Sequence, residues 1–279
     1  RIRVGIGAPV YKDTMIDYEF TIALTGSGAM SAANFLDLPF IQEVVSCKRA
    51  VEKYIPQTDV VIELGGEDAK IIYFDKSIEQ RMNGTCAGGT GAFIDQMASL
   101  LNTDALGLNN LAKNYSVLYP IASRCGVFAK TDVQPLINEG AAKEDIAASI
   151  FQAVVNQTIS GLACGRPIRG NVAFLGGPLN YLPELRNRFI DTLHLTEDQV
   201  IITEDAHLLV AKGAALDSLE MHPISTEKLK AKIQMLKSSH DTTTNPLKPL
   251  FVTDLSPAEK VKTSVALSLF LNFLFNSLI

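Results

Sequence analysis

The apolar positions of the chain form two kinds of segment. Short runs rich in β-branched and aromatic residues, which are typical of strands, occupy 20–26, 59–66, 70–75 and 171–177. Longer stretches with apolar residues near helical spacing occupy 40–54, 91–101, 132–138, 143–163 and 205–217. The stretch 143–163 also begins with acidic residues, which suits the positive end of a helix dipole. Because strands and helices are interleaved, the pattern predicts helices layered on a sheet, an α/β fold.

The pattern changes in the last quarter of the chain. Residues 218–258 are mostly polar, so we expect a linker or a loose connection there. Residues 259–279 end in an almost wholly apolar stretch, which predicts a C-terminal helix. The apolar part, 264–279, is too short to cross a bilayer, which takes about 20 residues. We expect it to pack on the body of the protein or on another subunit; anchoring at a membrane surface is the alternative.

Charge and cysteine content narrow the class of protein. The formal net charge is −5 and the pI is near 5.4, which argues against a nucleic-acid partner because phosphate binding needs clustered Lys and Arg. Four cysteines are too few for a disulfide scaffold in 279 residues. The first residues do not resemble a signal peptide, so we expect a reducing, cytoplasmic location.

Glycines follow three of the predicted strands, in the segments 24–28, 64–70 and 175–180. A glycine turn after a buried strand lets backbone N–H groups approach a phosphate, and ligands of α/β folds collect at the carboxyl ends of strands. Glu67 and Asp68 follow the second turn and are candidates for contacting Mg²⁺ or orienting a water. The alternative is that both carboxylates are solvated turn residues.

Two cysteines lie in small-residue loops just before predicted helices. Cys86 belongs to the glycine-rich loop ahead of 91–101, and Cys125 to the segment 122–130. A thiolate there gains from the helix dipole, and a metal cluster held by four thiolates would then need two chains related by a two-fold axis. Zinc bound by the same four thiolates remains open. Cys47 and Cys164 lack such a loop, and we interpret both as structural.

These segments resemble the BadF/BadG/BcrA/BcrD ATPase family, the activators of 2-hydroxyacyl-CoA dehydratases and benzoyl-CoA reductases. The matching stretches are 63–74, 83–98, 123–150 and 172–180. The resemblance implies the actin/Hsp70/sugar-kinase (ribonuclease H-like) fold, in which two α/β lobes enclose a nucleotide cleft. It assigns residues 1–217 to the activase domain, with a partial N-terminal lobe.

The resemblance also implies a function and a set of site residues. Relatives are homodimers that hold one [4Fe-4S] cluster with two cysteines per subunit, here Cys86 and Cys125. They use ATP and Mg²⁺ to pass an electron from reduced ferredoxin or flavodoxin to the dehydratase or reductase component. The implied catalytic residues are Glu67 and Asp68. The implied nucleotide-binding residues are Gly65, Gly66, Lys70, Gly176 and Gly177.

The sequence departs from the family pattern in three places. The first phosphate motif, a D-x-G-S-T-x-x-K hairpin, is absent from the chain. The acid before the second glycine pair is Glu63, where small activators have Asp, and residues 250–279 match nothing familiar in the family. The missing hairpin supports one alternative to an ATP-coupled activase, an iron–sulfur-binding module of the same fold without ATPase activity. A sugar or acetate kinase of the same fold is a further alternative. A kinase has no use for two glycine-flanked cysteines.

Overall fold

The computed structural model describes residues 3–11, 18–75, 77–83, 88–122 and 126–239. Cys86 and Cys125 lie outside these described residues, as do the expected C-terminal helix and the linker beyond 239.

The described residues form two sheets with helices around them. The strands are β1 (Arg3–Tyr11), β2 (Tyr18–Thr25), β3 (Val60–Leu64), β4 (Ala69–Phe74), β5 (Ile78–Met82), β6 (Val172–Leu175), β7 (Val200–Ile201) and β8 (Ile224–Ser225). The helices are α1 (Ala29–Leu36), α2 (Glu43–Tyr54), α3 (Gly91–Leu100), α4 (Ala105–Ala112), α5 (Gly126–Asn138), α6 (Lys143–Thr158), α7 (Gly177–Tyr181), α8 (Pro183–Leu193), α9 (Leu209–Ser218) and α10 (Thr226–Ser239).

The larger sheet has the strand order β5-β4-β3-β6-β7. β3, β4 and β5 pair antiparallel, whereas β6 lies parallel to β3 and β7 lies parallel to β6. Every residue of β3 is buried, because alternate side chains enter hydrophobic cores on opposite faces of the sheet. Val60, Ile62 and Leu64 join α3, α4, α6 and α8 on one face, and Val61 joins α2 and α9 on the other.

The smaller sheet has the order β1-β2-β8 and is antiparallel. Phe20 and Ile22 of β2 pack with Leu229 and Ile233 of α10, and α9 lies against β1 and β2. α9 also crosses α2 so closely that a Cβ on Gly213 would lie 1.7 Å from the Ser46 carbonyl oxygen. The α2–α9 pair therefore joins the two sheets into one body.

The predicted elements correspond to observed ones, with shifts at their ends. The stretch 132–138 is the second half of a longer helix, α5, and α9 begins at Leu209 rather than at 205. The polar segment from 218 contains α10, which has a single buried face formed by residues four apart, Leu229 and Ile233. β5, α4 and α8 were not predicted, because their apolar patterns are short or interrupted.

The stretch 143–163 is one helical run that changes type. α6 ends at Thr158 and a π-helical turn continues to Ala163, where Cys164 takes a left-handed φ of 47°. The hydroxyls of Thr158 and Ser160 each bond a carbonyl one turn back, which loosens the regular ladder. The run is apolar and long enough to span a membrane, but 67% of its most apolar window is buried inside the protein. It is the central core helix of this lobe.

Candidate nucleotide site

The turn after β3 is tightly closed, and the glycine at its start leaves room for the Asp68 side chain. The Gly65 amide donates to the Asp68 carbonyl over 2.7 Å. A Cβ on Gly65 would lie 1.9 Å from an oxygen of the Asp68 carboxylate. The turn therefore presents bare backbone at the carboxyl end of β3, which is the surface that a phosphate can approach.

The turn after β6 meets the same edge of the sheet. Gly176 has φ +89°, and a Cβ there would lie 2.0 Å from the Leu64 carbonyl oxygen. Its amide donates to the Ala206 carbonyl over 3.2 Å, which joins this turn to the one after β7. Because β3, β6 and β7 run parallel, their three carboxyl-end turns lie side by side.

These turns line a cleft of about 630 Å³. Ser27, in the glycine turn after β2, lines it as well, so all three glycine turns expected from the sequence meet at one cavity. The lining residues are Ser27, Glu43, Gly65, Gly66, Glu67, Asp68, Gly91, Ala92, Asp95, Gly177, Pro178, Tyr181 and His207.

The start of α3 is hydrogen-bonded to the glycine turn. The Gly91 amide donates to the Gly65 carbonyl over 3.0 Å, and the Ala92 amide donates to the Gly66 carbonyl over 2.7 Å. Two of the N-terminal amides that a helix leaves unpaired are satisfied in this way. The glycine turn and the first turn of α3 are therefore joined directly by two backbone hydrogen bonds.

Lys70 lies behind the glycine turn and is almost completely buried, with 2% of its side chain exposed. Its ammonium contacts the carboxylates of Asp68 and Glu43, and Glu63 is its cross-strand neighbour. Burial lowers the pKa of this ammonium, but the charges of Glu63, Asp68 and Glu43 outweigh burial and raise the pKa above its ordinary value. Lys70 stays charged at neutral pH and orients two cleft-lining carboxylates.

Glu67 and Asp68 both line the cleft; Glu67 is exposed and Asp68 is half-buried. Within the described ranges, no group of three or more His, Cys, Asp or Glu side chains is placed to hold a metal ion. Mg²⁺ at nucleotide sites is typically bound by one or two carboxylates plus phosphate and water oxygens. Two neighbouring carboxylates beside a phosphate turn fit that donor set.

Four cleft residues were not found from the sequence: Glu43, Asp95, Tyr181 and His207. Glu43 and His207 lie in elements with no glycine or cysteine signature. Asp95 follows the glycine-rich Cys86 loop and Tyr181 follows the glycine turn of β6, and these positions were the available signals.

Comparison with known proteins assigns the family. The sequence profile of the BadF/BadG/BcrA/BcrD ATPase family matches residues 12–218. The chain belongs to this family. The 2-hydroxyisocaproyl-CoA dehydratase activator of Clostridioides difficile is 32% identical over 215 residues, covering 75% of this chain and 77% of that protein. The (R)-2-hydroxyglutaryl-CoA dehydratase activating ATPase of Acidaminococcus fermentans is 34% identical over 164 residues, covering 58% and 62%.

Solved structures of family members confirm the two-lobed α/β fold expected from the sequence. Component A of the A. fermentans (R)-2-hydroxyglutaryl-CoA dehydratase aligns over 77% of this chain and 96% of that one, with a TM-score of 0.64 and 23% identity. The C. difficile 2-hydroxyisocaproyl-CoA dehydratase activator, solved with bound ADPNP, aligns over 85% and 97%, with a TM-score of 0.63 and 23% identity.

The two helices that follow the family's cysteine loops lie next to each other in this chain. Gly126, the first residue of α5, directly follows Cys125 in the sequence. A Cβ on Gly126 would lie 3.3 Å from Gln96 and 3.6 Å from Phe93, both on α3. α3 itself begins five residues after Cys86. The structure therefore places the start of α5 against α3, the helix that follows the Cys86 loop.

The other two cysteines form no disulfide within the described part of the chain, and their surroundings differ. Cys47 is completely buried in α2 and packs in the core on that face of the sheet. Cys164 is exposed at the end of the π-helical turn and contacts the Gly161 carbonyl over 3.2 Å.

Proposed function

We propose that the chain is an ATP-dependent activator of a 2-hydroxyacyl-CoA dehydratase-type or benzoyl-CoA reductase-type partner. In this proposal two copies of the chain hold one [4Fe-4S] cluster through Cys86 and Cys125, and nucleotide turnover drives delivery of a low-potential electron. One electron enters from reduced ferredoxin or flavodoxin and one leaves to the partner, while ATP and water become ADP and phosphate. Family membership and the two named dehydratase activators support this reading.

The observation that carries the proposal is the hydrogen-bonded contact between the phosphate turn and α3. The carbonyls of Gly65 and Gly66 accept from the first amides of the helix that follows the Cys86 loop. A change in the turn when a phosphate binds or leaves therefore acts on the helix next to the cysteines. Coupling between two sites requires such an element, shared by both, whose arrangement each site biases.

The residues in and around the cleft have three different roles in the proposed nucleotide binding. The backbone of Gly65, Gly66, Gly176 and Gly177 approaches the nucleotide without side-chain obstruction. Glu67 and Asp68 would hold Mg²⁺, which neutralises phosphate charge when bound. Lys70 does not line the cleft and acts indirectly, because its contact with Asp68 fixes the orientation of that carboxylate.

The start of α5 supports a second copy of the chain at the cysteine face. Val127 and Phe128, in the first turn of α5, are 67% and 63% exposed. Large apolar side chains so exposed next to a proposed ligand are explained if another subunit covers them. The helix dipole at that end favours a thiolate at Cys125. A four-iron cluster supplies a one-electron carrier, and four thiolates from two chains complete its ligand set.

A second candidate function is an iron–sulfur module that has lost ATP turnover. The observation that favours it is the absence of the first phosphate hairpin from this sequence. Without that hairpin, one side of the phosphate cradle and its Mg²⁺ contact are missing. A nucleotide-binding measurement separates the two, since only the activator requires ATP affinity. Both candidates place the protein in a reducing, cytoplasmic compartment.

The first experiment is iron and acid-labile sulfide analysis of protein purified without oxygen, with the visible spectrum and the size in solution. About four irons and four sulfides per dimer, with a spectrum bleached by dithionite, support the bridging cluster. A metal-free monomer would contradict the bridging cluster. A dimer that contains zinc would indicate a structural zinc site instead. ATP hydrolysis by the same sample then decides between activator and module.

A further inference from the structure

Tyr181 and His207 form an aromatic pair in the cleft, and neither has a role in the function proposed above. Tyr181 ends α7, after β6, and His207 lies in the turn after β7. β7 is two strands away from β3 in the sheet, which is about 10 Å at ordinary strand spacing. A nucleotide with its phosphates at the Gly65–Gly66 turn would therefore extend its nucleoside end towards this pair.

The geometry of the pair leaves one aromatic surface open. The two ring centroids lie 5.1 Å apart at an interplanar angle of 48°, so His207 supports one side of the tyrosine. Tyr181 is nevertheless 56% exposed, and both residues line the cavity. An exposed aromatic ring held in place at the edge of a binding cleft offers a stacking surface for a flat ligand group.

The hydrogen bonding of His207 orients the tyrosine hydroxyl. Nε2 of His207 lies 3.1 Å from the Tyr181 hydroxyl oxygen, and Nδ1 is buried with no hydrogen-bond partner among the described residues. In a neutral imidazole one nitrogen carries the proton, and a buried donor without a partner is rarer than an under-satisfied acceptor. The proton is therefore assigned to Nε2, which donates to Tyr181. The hydroxyl hydrogen of Tyr181 is then free to point towards the cleft.

We propose that Tyr181 is the base-contacting residue of the nucleotide site and that His207 is its positioning residue. The ring of Tyr181 stacks on the nucleotide base, and His207 holds that ring and directs its hydroxyl. This inference rests on the proposed nucleotide binding and adds to it the residues that recognise the nucleoside end.

The test compares ADP with inorganic tripolyphosphate, which has phosphates but no base. Calorimetric titration of the purified chain in Mg²⁺ buffer gives the affinity for each. Tyr181→Ala should weaken ADP binding about 5- to 100-fold, the range found for losing one stacked base, and leave tripolyphosphate affinity unchanged. Tyr181→Phe keeps the ring and should stay within about threefold of wild type. Ile202→Ala, which removes an exposed apolar side chain outside the cleft, should bind both ligands as wild type does.

The role of His207 is tested by rescue. His207→Ala should weaken ADP binding about threefold in the wild type and less in the Tyr181→Phe background, because the lost contact is with the hydroxyl. His207→Gln carries an amide group near the place of Nε2 and should restore most of the affinity.

Three outcomes would overturn the inference. One is unchanged ADP affinity in Tyr181→Ala while the wild type binds ADP. Another is an equal loss of ADP and tripolyphosphate affinity, which would show that the substitution disturbs the phosphate turn instead. The third is a wild type that binds neither ligand; in that case the nucleotide proposal fails first and the base contact falls with it.

Discussion

The amide of Gly91 donates to the carbonyl of Gly65 across 3.0 Å, which joins the first residue of α3 to the proposed phosphate turn. A Cβ on Gly91 would lie 3.3 Å from that same carbonyl oxygen, a tight contact that glycine at position 91 avoids. The two residues are 26 positions apart in the sequence and belong to different expected motifs, the phosphate turn and the cysteine loop. Their hydrogen bond connects the two motifs directly in the folded chain.

Nucleotide binding should slow amide hydrogen exchange at the start of α3. If ADP stabilises the Gly65–Gly66 turn, the bonds that the turn accepts from Gly91 and Ala92 open less often. Hydrogen-exchange mass spectrometry with and without ADP measures this effect. α10, which packs on the smaller sheet, serves as the internal control and should not change. Equal protection of both helices would indicate general stabilisation by ligand rather than a specific link.

Gly176→Ala should be more damaging than Gly140→Ala. Both residues have positive φ, +89° and +78°, so each substitution carries the left-handed backbone cost of about 1–2 kcal/mol. Only at position 176 would the new Cβ also meet backbone, 2.0 Å from the Leu64 carbonyl oxygen; at position 140 nothing lies within 4 Å. We expect a further loss of about 1–3 kcal/mol in the free energy of unfolding for Gly176→Ala. Equal urea midpoints for the two variants would contradict this close approach.

Lys70→Met should lower the free energy of unfolding by about 3–5 kcal/mol, because it leaves the carboxylates of Glu43, Asp68 and Glu63 without their shared cation. The raised pKa of Lys70 means that its stabilisation is complete below the unfolded value of about 10.4 and is lost only as the pH rises through the folded value.

The pH dependence distinguishes this explanation from loss of packing. In Lys70→Met the stability should partly recover between about pH 7 and pH 5, as the crowded carboxylates take up protons. The wild type should show no such recovery. Urea unfolding at several pH values is the measurement, and Lys48→Met, at an exposed pair with Glu52, should change stability by at most about 1 kcal/mol.

Asp145 should contribute an acid-sensitive part of the stability. Its Oδ1 accepts the amides of Ser116 at 2.6 Å and Val117 at 3.0 Å, and these bonds lower its pKa. For a carboxyl with a lowered folded pKa, the stabilisation is present above the unfolded value of about 3.9 and lost as the pH falls through the folded value. Asp145→Asn should therefore flatten the decline of the urea midpoint between about pH 5 and pH 2. Glu139→Gln, an exposed carboxyl nearby in sequence, should leave that decline unchanged.

Cys86→Ser and Cys125→Ser should each abolish cluster binding and weaken the dimer, because each removes two of the four proposed ligands. Iron content and size-exclusion chromatography under anaerobic conditions measure both effects. Cys164→Ser is the control, since that thiol is exposed and lies outside the cysteine loops. Full iron content in Cys86→Ser would contradict the assignment of Cys86 as a cluster ligand.

Local sequence predicted the strands and the glycine turns well, and the reason is physical. β3, β4 and β6 are short, buried and mostly apolar, with Glu63 and Lys70 as their only charged residues, so the strand pattern is easily recognised. Gly65 and Gly176 lie where a Cβ would come too close to nearby atoms. Glycine is therefore favoured at both positions, and the glycine turns can be recognised in the sequence. The cysteine loops were recognisable from composition, because small residues surround Cys86 and Cys125.

α10 shows where the pattern was insufficient. Polar residues dominate the segment after 218, and its helix has only a narrow buried stripe, including Leu229 and Ile233. A narrow stripe stabilises a helix only when a partner surface exists, and that surface, Phe20 and Ile22 of β2, lies about 200 residues earlier.

The amino-acid sequence alone therefore specified four of the described strands (β2, β3, β4 and β6), the glycine turns, the cysteine loops and the family, because each depends on a few neighbouring residues. The contacts that make a site depended on the folded chain. Lys70 meets Glu43 from another element, Tyr181 meets His207 across two turns, and Gly91 meets Gly65 across a motif boundary. Such pairs form because parallel strands end at one edge of a sheet and bring distant turns together, a relationship that no local pattern contains.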